Sequence, residues 1–110
     1  MPKLRTLSAG KEFEYTLKGK DGFILEYSGH PHITAKFIAE IKSALAGKTI
    51  LGGFAKTNPP AGSFGAWLRD HSRSPKLTGQ HGAHIAPVLL QMGVIQKAEG
   101  YSPVTLHFAP

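Results

Sequence analysis

The sequence predicts a single α+β domain in which three helices lie between two β-hairpins. Apolar and polar residues alternate in two stretches near the start of the chain and in two near its end, which is the period of strands. Between these stretches, apolar residues recur every three or four positions, which is the period of amphipathic helices. The 110 residues contain no internal repeat or low-complexity tract, so one hydrophobic core must stabilise residues 11–110 as one domain.

The first predicted element is a β-hairpin within residues 11–29. Its strands carry alternating apolar residues on either side of a turn at residues 19–22, namely Phe13, Tyr15 and Leu17 and then Phe23, Leu25 and Tyr27. The aromatic face is expected to pack on the helix that follows, or to pair with its copy in a homodimer. Residues 1–10 are expected to form a flexible basic arm.

The next predicted element is an amphipathic helix that starts at Pro31, since proline suits the first turn of a helix. Apolar residues recur at four-residue intervals from Ile33 to Leu45, and Gly47 is a typical helix end. Residues 48–51 then predict a short strand. The stretch that follows is rich in glycine and proline, which predicts a loop.

Two more helices and a second hairpin follow. Ser63 and Thr78 are good N-cap residues, and each precedes apolar residues at helical spacing. The shorter helix is expected to end near Ser72, and the longer one to end at Gly93 with a buried face made of Ile85, Val88, Leu89 and Met92. Residues 94–97 and 104–108 predict the two strands of the C-terminal hairpin.

The order of these elements from residue 32 to residue 108 resembles that of winged helix-turn-helix DNA-binding domains. Leu77 to Ile95 looks like their recognition helix continuing into the first strand of the wing. The resemblance covers about two thirds of the chain and depends on element order and apolar spacing. It implies a three-helix core at residues 32–108, a wing at residues 94–108 and an extra N-terminal hairpin. A generic α+β domain is the alternative.

If the resemblance holds, the helix at residues 78–92 enters the major groove of double-stranded DNA. With Ile85 at the centre of the buried side, a group of residues points away from it, namely Gln80, Ala83, His84, Pro87 and Gln91. Glutamine can pair with adenine and histidine can donate to guanine, so Gln80, His84 and Gln91 are the candidate base readers. His81 is expected to be partly buried and bonded to the backbone, and Pro87 to kink the helix or delay its start.

The charge distribution also favours a polyanionic partner. The chain has 13 lysines and arginines against 7 aspartates and glutamates, a net charge of +6, and residues 41–98 contain one acid, Asp70, against seven bases. Phosphate contacts are expected from Lys48, Lys56, Arg69, Arg73, Lys76 and Lys97, from the helix starts Ser63 and Thr78, and from Tyr101 near the wing tip. Lys3 and Arg5 are candidates for a minor-groove arm.

Other kinds of chemistry have little support in the sequence. The absence of cysteine excludes disulfides, a thiol nucleophile and thiolate metal sites. The histidine pairs His30/His32 and His81/His84 lack an accompanying carboxylate, and no catalytic constellation or phosphate-binding loop is evident, so no enzyme activity, metal or cofactor is expected. No signal peptide or membrane helix is evident, and a cytoplasmic, nucleoid-associated location is expected.

The function expected from the sequence is therefore double-stranded DNA binding by a regulatory or accessory factor. Two alternatives stay open. One is an RNA-binding module, since a basic surface also suits an A-form backbone. The other is a protein-interaction adaptor that binds an acidic partner, with the N-terminal hairpin offering a strand edge.

Overall fold

A computed structural model of the chain describes residues 3–6, 12–18, 22–26, 31–54, 59–72, 77–100 and 104–110. These residues form an α+β fold of three α-helices and two antiparallel sheets. Within these ranges, every helix is too short or too polar to span a lipid bilayer.

The four-stranded sheet is built from strands that are consecutive in the chain. They are β1 (Lys3–Arg5), β2 (Glu12–Lys18), β3 (Gly22–Leu25) and β4 (His32–Ile33), in that spatial order. The three-stranded sheet contains β5 (Thr49–Leu51), β6 (Ile95–Glu99) and β7 (Thr105–Phe108). Its spatial order is β5-β7-β6, so β7 is the central strand. Strand β5 precedes the last two helices in the chain, whereas β6 and β7 follow them.

The three helices are α1 (Ala35–Leu45), α2 (Phe64–His71) and α3 (Gly79–Gln91). Local signals set their ends. The Thr34 hydroxyl accepts a hydrogen bond from the Phe37 N–H at 3.1 Å, and the Ser63 hydroxyl accepts one from the Ala66 N–H at 3.2 Å. Side-chain acceptors of this kind satisfy amide groups that have no partner within the helix.

The predicted N-terminal hairpin is present as β2 and β3, with Tyr15 opposite Leu25 and Leu17 opposite Phe23. The structure adds a strand before it. Residues 3–5, expected in a flexible arm, instead form β1, where Leu4 lies opposite Phe13 and packs against the core. The prediction of a flexible arm is therefore wrong for these residues, because pairing with β2 and burial of Leu4 order them.

A second strand lies after the hairpin, where the sequence predicted a helix start. The Leu25 N–H donates to the Pro31 carbonyl at 3.1 Å, and Ile33 pairs with Phe23 in β4. Helix α1 therefore begins at Ala35 and not at Pro31. Since β1 and β4 flank β2 and β3, both edges of the hairpin are paired within the chain. Strand addition directly on the hairpin, as the adaptor alternative expects, therefore has no open edge there, whereas the homodimer stays a prediction.

A single hydrophobic cluster joins the two sheets and the three helices. Helix α3 contributes Ile85, Val88 and Leu89 to this cluster, each at most 1% exposed, as the sequence predicted. Met92, predicted on the same buried face, is instead 37% exposed, because it lies just after the last residue of α3. The segment that follows β5 lies close to the start of α2, because the Gly65 N–H donates to the Gly52 carbonyl at 2.8 Å. A Cβ atom on Gly65 would lie 1.9 Å from the Gly53 carbonyl oxygen, so this position accepts only glycine without a backbone shift.

Candidate nucleic-acid interface

Helix α3, the expected recognition helix, begins at Gly79 and continues through Pro87 to Gln91. At its start, the Thr78 N–H donates to Nδ1 of His81 at 3.1 Å. His81 is half-buried, so the prediction of a partly buried histidine bonded to the backbone is confirmed. The helix is not delayed by Pro87, which is itself buried.

The face of α3 expected to meet DNA is only partly exposed. Gln80 and Gln91 are exposed, whereas His84 is half-buried, Ala83 is 8% exposed and Pro87 is buried. The prediction that Ala83 and Pro87 face solvent is wrong. A helical wheel does not contain tertiary contacts, and here both β1 and the Phe13 ring of β2 contact α3.

The contact between this sheet and α3 is best defined at His84. The Phe13 ring from β2 meets the His84 ring edge-on, with centroids 4.9 Å apart and planes at 66°. In the helix, Nδ1 of His84 lies 2.9 Å from the Gln80 carbonyl oxygen, which can only accept, so Nδ1 carries a hydrogen. Burial lowers the pKa of His84, the hydrogen bond to the Gln80 carbonyl partly offsets this, and the neighbouring His81 lowers the pKa further. A neutral imidazole protonated at Nδ1 has an acceptor at Nε2, so it does not suit the guanine acceptors proposed for it.

The exposed glutamines lie at opposite ends of α3. Gln91 lies eleven positions after Gln80, which corresponds to about 16 Å along a helix at 1.5 Å per residue. Because Ala83 and Pro87 between them are buried, the structure does not bring the three predicted base readers into one open surface.

Two of the predicted phosphate-contacting residues are paired with acids. Arg69 Nε lies 3.0 Å from the Asp70 carboxylate, and Lys97 Nζ lies 2.7 Å from Glu99. Both pairs are exposed, so each is a weak interaction that an anion can displace. Lys48 is exposed just before β5.

Glu99 is the centre of a polar network across the three-stranded sheet. It accepts from Nε2 of His107 at 2.9 Å, and Nδ1 of His107 lies 3.2 Å from the Thr49 hydroxyl. The pKa of Glu99 is held low by its hydrogen bond to Lys97 and then by that to His107. Glu99 is therefore an anion at neutral pH, and it reduces the positive charge that Lys97 gives the hairpin.

The helix-start residues differ in accessibility. Ser63 is 1% exposed, its N–H donates to the Pro60 carbonyl and its hydroxyl accepts from the Ala66 N–H. Thr78 is half-buried at the start of α3, and Arg5 is exposed on β1. Of Lys3 the structure describes only the backbone in β1. The remaining candidates lie outside the described residues, namely Lys56, Arg73, Lys76 and Tyr101.

A groove that the sequence did not indicate lies between β4, the start of α1 and the end of α2. Its volume is about 570 Å³, and polar side chains line it, including His32, Lys36, Glu40, Asp70 and His71. His71 stacks on Trp67 with ring centroids 4.3 Å apart, and its Nδ1 lies 2.8 Å from the Trp67 carbonyl oxygen. Across the described ranges, no three histidine, aspartate or glutamate side chains come together in a way that could hold a metal ion.

Comparison with known proteins gives no relative: no family model matches the chain, and no curated protein or solved structure matches it either.

Proposed function

We propose that this chain is a winged-helix module that binds double-stranded DNA as a regulatory or accessory factor. The observation that carries the proposal is the order of elements α1-β5-α2-α3-β6-β7 together with the sheet order β5-β7-β6. In this arrangement the strand between the first two helices pairs with the last strand of a C-terminal hairpin. A helix-turn-helix pair and a hairpin wing are then available on one scaffold.

The charge of the chain supports the same proposal. A net charge of +6 attracts phosphate backbones, and most of the excess lies in the part of the chain that forms the winged-helix elements. The linker between α2 and α3 contributes Arg73 and Lys76. In helix-turn-helix proteins the residues at this turn and at the start of the second helix lie against the DNA.

The burial of α3 limits which of its residues can contact DNA. Gln80 in its first turn is exposed, whereas Ala83, His84 and Pro87 are wholly or partly covered. We therefore assign duplex contact to the α2–α3 linker, the first turn of α3 and the β6–β7 wing. Such a module acts in the cytoplasm on the nucleoid.

The test is a titration of the full chain with duplex DNA of random sequence at two salt concentrations. If about four phosphates are neutralised, the affinity should fall on the order of 100-fold between about 50 and about 200 mM salt. Lys76→Ala should weaken binding to all sequences and reduce the slope against log salt by about 1. Gln80→Ala should cost about 1–3 kcal/mol on a preferred site alone. The matched control is Lys42→Ala on α1, which should bind as the wild type does.

The same titration with duplex RNA tests the RNA-binding alternative. Equal or tighter binding to duplex RNA would replace the DNA proposal with RNA binding. Failure to bind either duplex at low salt would reject the nucleic-acid proposal.

A second candidate is a protein-interaction adaptor, and two exposed leucines favour it. Leu17 on β2 is 62% exposed and Leu51 on β5 is 39% exposed, and β5 is an edge strand of its sheet. An exposed edge strand that carries an apolar side chain is a common site of strand addition. Changes in β5 amide signals on addition of an acidic extended peptide, with none on addition of DNA, would favour the adaptor.

A further inference from the structure

The outer face of the β5-β7-β6 sheet carries a cluster of four polar side chains. Leu106 of β7 is fully buried in the core, so its neighbour His107 lies on the opposite face of the sheet. Thr49 of β5 and Lys97 of β6 are both opposite His107 in the strand register, and they share its face. Glu99 follows two residues after Lys97 on the same face. We call these four residues the wing cluster, namely Thr49, Lys97, Glu99 and His107.

The backbone ladder places the Thr49 hydroxyl within reach of the His107 ring. The Phe108 N–H donates to the Lys48 carbonyl at 2.9 Å, so Phe108 and Lys48 form a hydrogen-bonded pair of the antiparallel ladder. Such pairs alternate with pairs that lack these bonds and whose side chains lie closer together. Thr49 and His107 are the next pair along. The contact between them is therefore set by the register of the sheet.

The hydrogen bonds within the wing cluster define where its hydrogens lie. The carboxylate oxygens of Glu99 lie 2.7 Å from Lys97 Nζ and 2.9 Å from Nε2 of His107. Hydrogen bonds to Lys97 and then to His107 lower the pKa of Glu99, so this group is a carboxylate that only accepts, and Nε2 carries a hydrogen. The other ring nitrogen, Nδ1, lies 3.2 Å from the Thr49 hydroxyl, which can donate to it or accept from it. Both ring nitrogens therefore have a partner whether the ring is neutral or charged.

We propose that Lys97 and His107 bind a phosphate of duplex DNA on this face, in competition with Glu99, and that His107 does so in its charged form. The inference rests on the proposed function, because it assigns a phosphate contact to the β6–β7 wing. With a neutral ring, the wing cluster holds one cation and one anion, and Glu99 balances Lys97. With a charged ring it holds two cations against one anion. One positive charge is then left for a phosphate oxygen, which accepts from the same donors as a carboxylate oxygen.

Binding at this site is coupled to the uptake of a proton. The groups that face His107 from the strands on either side are Thr49 on β5 and the charged pair Lys97 and Glu99 on β6. A duplex brings several phosphates where the free chain has one carboxylate, so the complex favours the charged ring more strongly. Histidine changes charge between about pH 5 and pH 8, and by linkage the affinity rises as the pH falls through this range. If the phosphates favour the charged ring about tenfold, the affinity rises about fivefold from about pH 8 to about pH 6.

The experiment measures the affinity of the wild-type chain and of His107→Gln for random duplex DNA at about pH 8 and at about pH 6, at one salt concentration. The wild type should bind about fivefold more tightly at the lower pH. His107→Gln should still bind at the higher pH and should lose most of this gain. The comparison of the two proteins separates His107 from the other histidines of the chain. Equal gains in both proteins, or no gain in either, would overturn the inference and leave the proposed function standing.

A charge-matched pair of variants tests the competition with Glu99. Glu99→Gln and Glu40→Gln each remove one negative charge from an exposed position, the first in the wing cluster and the second on α1. At about pH 8, Glu99→Gln should bind duplex DNA about fivefold more tightly than the wild type, and Glu40→Gln should bind within about twofold of it. Tighter binding by Glu99→Gln alone supports the phosphate site, whereas equal effects of the two substitutions reject it. Absence of binding in all four proteins rejects the phosphate site and the proposed function together.

Discussion

The inner and outer sides of α3 differ in burial and in composition: the inner side is fully buried, and the outer side is buried only in part. The inner side packs large aliphatic residues such as Leu89 into the core, whereas the outer side buries Ala83 and Pro87 beside a histidine. The buried inner side can be predicted from the helical spacing of its apolar residues alone. On the outer side, His84 is half-buried, and the Phe13 ring of a distant strand lies against it. The comparison teaches that a polar helix face does not have to be an open one.

The largest expected effect is on the inner side. Leu89→Ala removes a side chain that is fully buried in the core, so it should lower the free energy of unfolding by about 2–5 kcal/mol. Gln91→Ala on the exposed outer side should change it by less than about 0.5 kcal/mol. Urea unfolding of both variants measures the difference. Equal losses would mean that α3 does not present different sides to the core.

The next effect concerns how closely α2 approaches its neighbours. Gly65→Ala should destabilise the chain by about 1–3 kcal/mol, because its Cβ would meet the Gly53 carbonyl oxygen in the backbone. Gly82→Ala on α3 is the matched control. Its Cβ would lie 3.3 Å from Leu68 and Phe54 side-chain atoms, which can move, and alanine favours helix. Thermal unfolding of the two variants should therefore rank Gly65→Ala well below Gly82→Ala, and the reverse order would contradict this packing.

The smallest expected effect is on the pH dependence of the free energy of unfolding, through His84 on the outer side. The folded-state pKa of His84 lies below its ordinary value of 6.5, so the unfolded chain binds this proton more readily. The stability contributed by the neutral ring is therefore complete above pH 6.5 and is lost as the pH falls through the interval between the two pKa values. His84→Gln should make the free energy of unfolding less sensitive to pH in that interval. An unchanged pH profile in the variant would show that the ring is not buried.

The elements that local signals specify were predicted from the sequence. Ser63 and Thr78 mark the starts of α2 and α3, and the alternation ending at Phe108 marks the last strand. What the sequence did not predict depends on pairing between distant residues. Residues 3–5 are too few to show a strand period, and they become β1 only because Leu4 lies opposite Phe13.

The candidate site was predictable in part for the same reason. The half-buried, backbone-bonded His81 followed from its position on the helical wheel. The network of Thr49, Glu99 and His107 did not, because it depends on the register of three strands, and β6 is irregular between Ile95 and Lys97. Burial of Ala83 was missed because a wheel gives direction without saying what lies there.

Mapping of amide chemical-shift changes on the wild-type chain during titration with duplex DNA tests the central claim most directly. The account predicts that the largest changes fall in residues 77–81, at the α2–α3 junction, and in the β6–β7 wing. Changes confined to the β2–β3 face or to the groove between α1 and α2, with none at the start of α3, would contradict it.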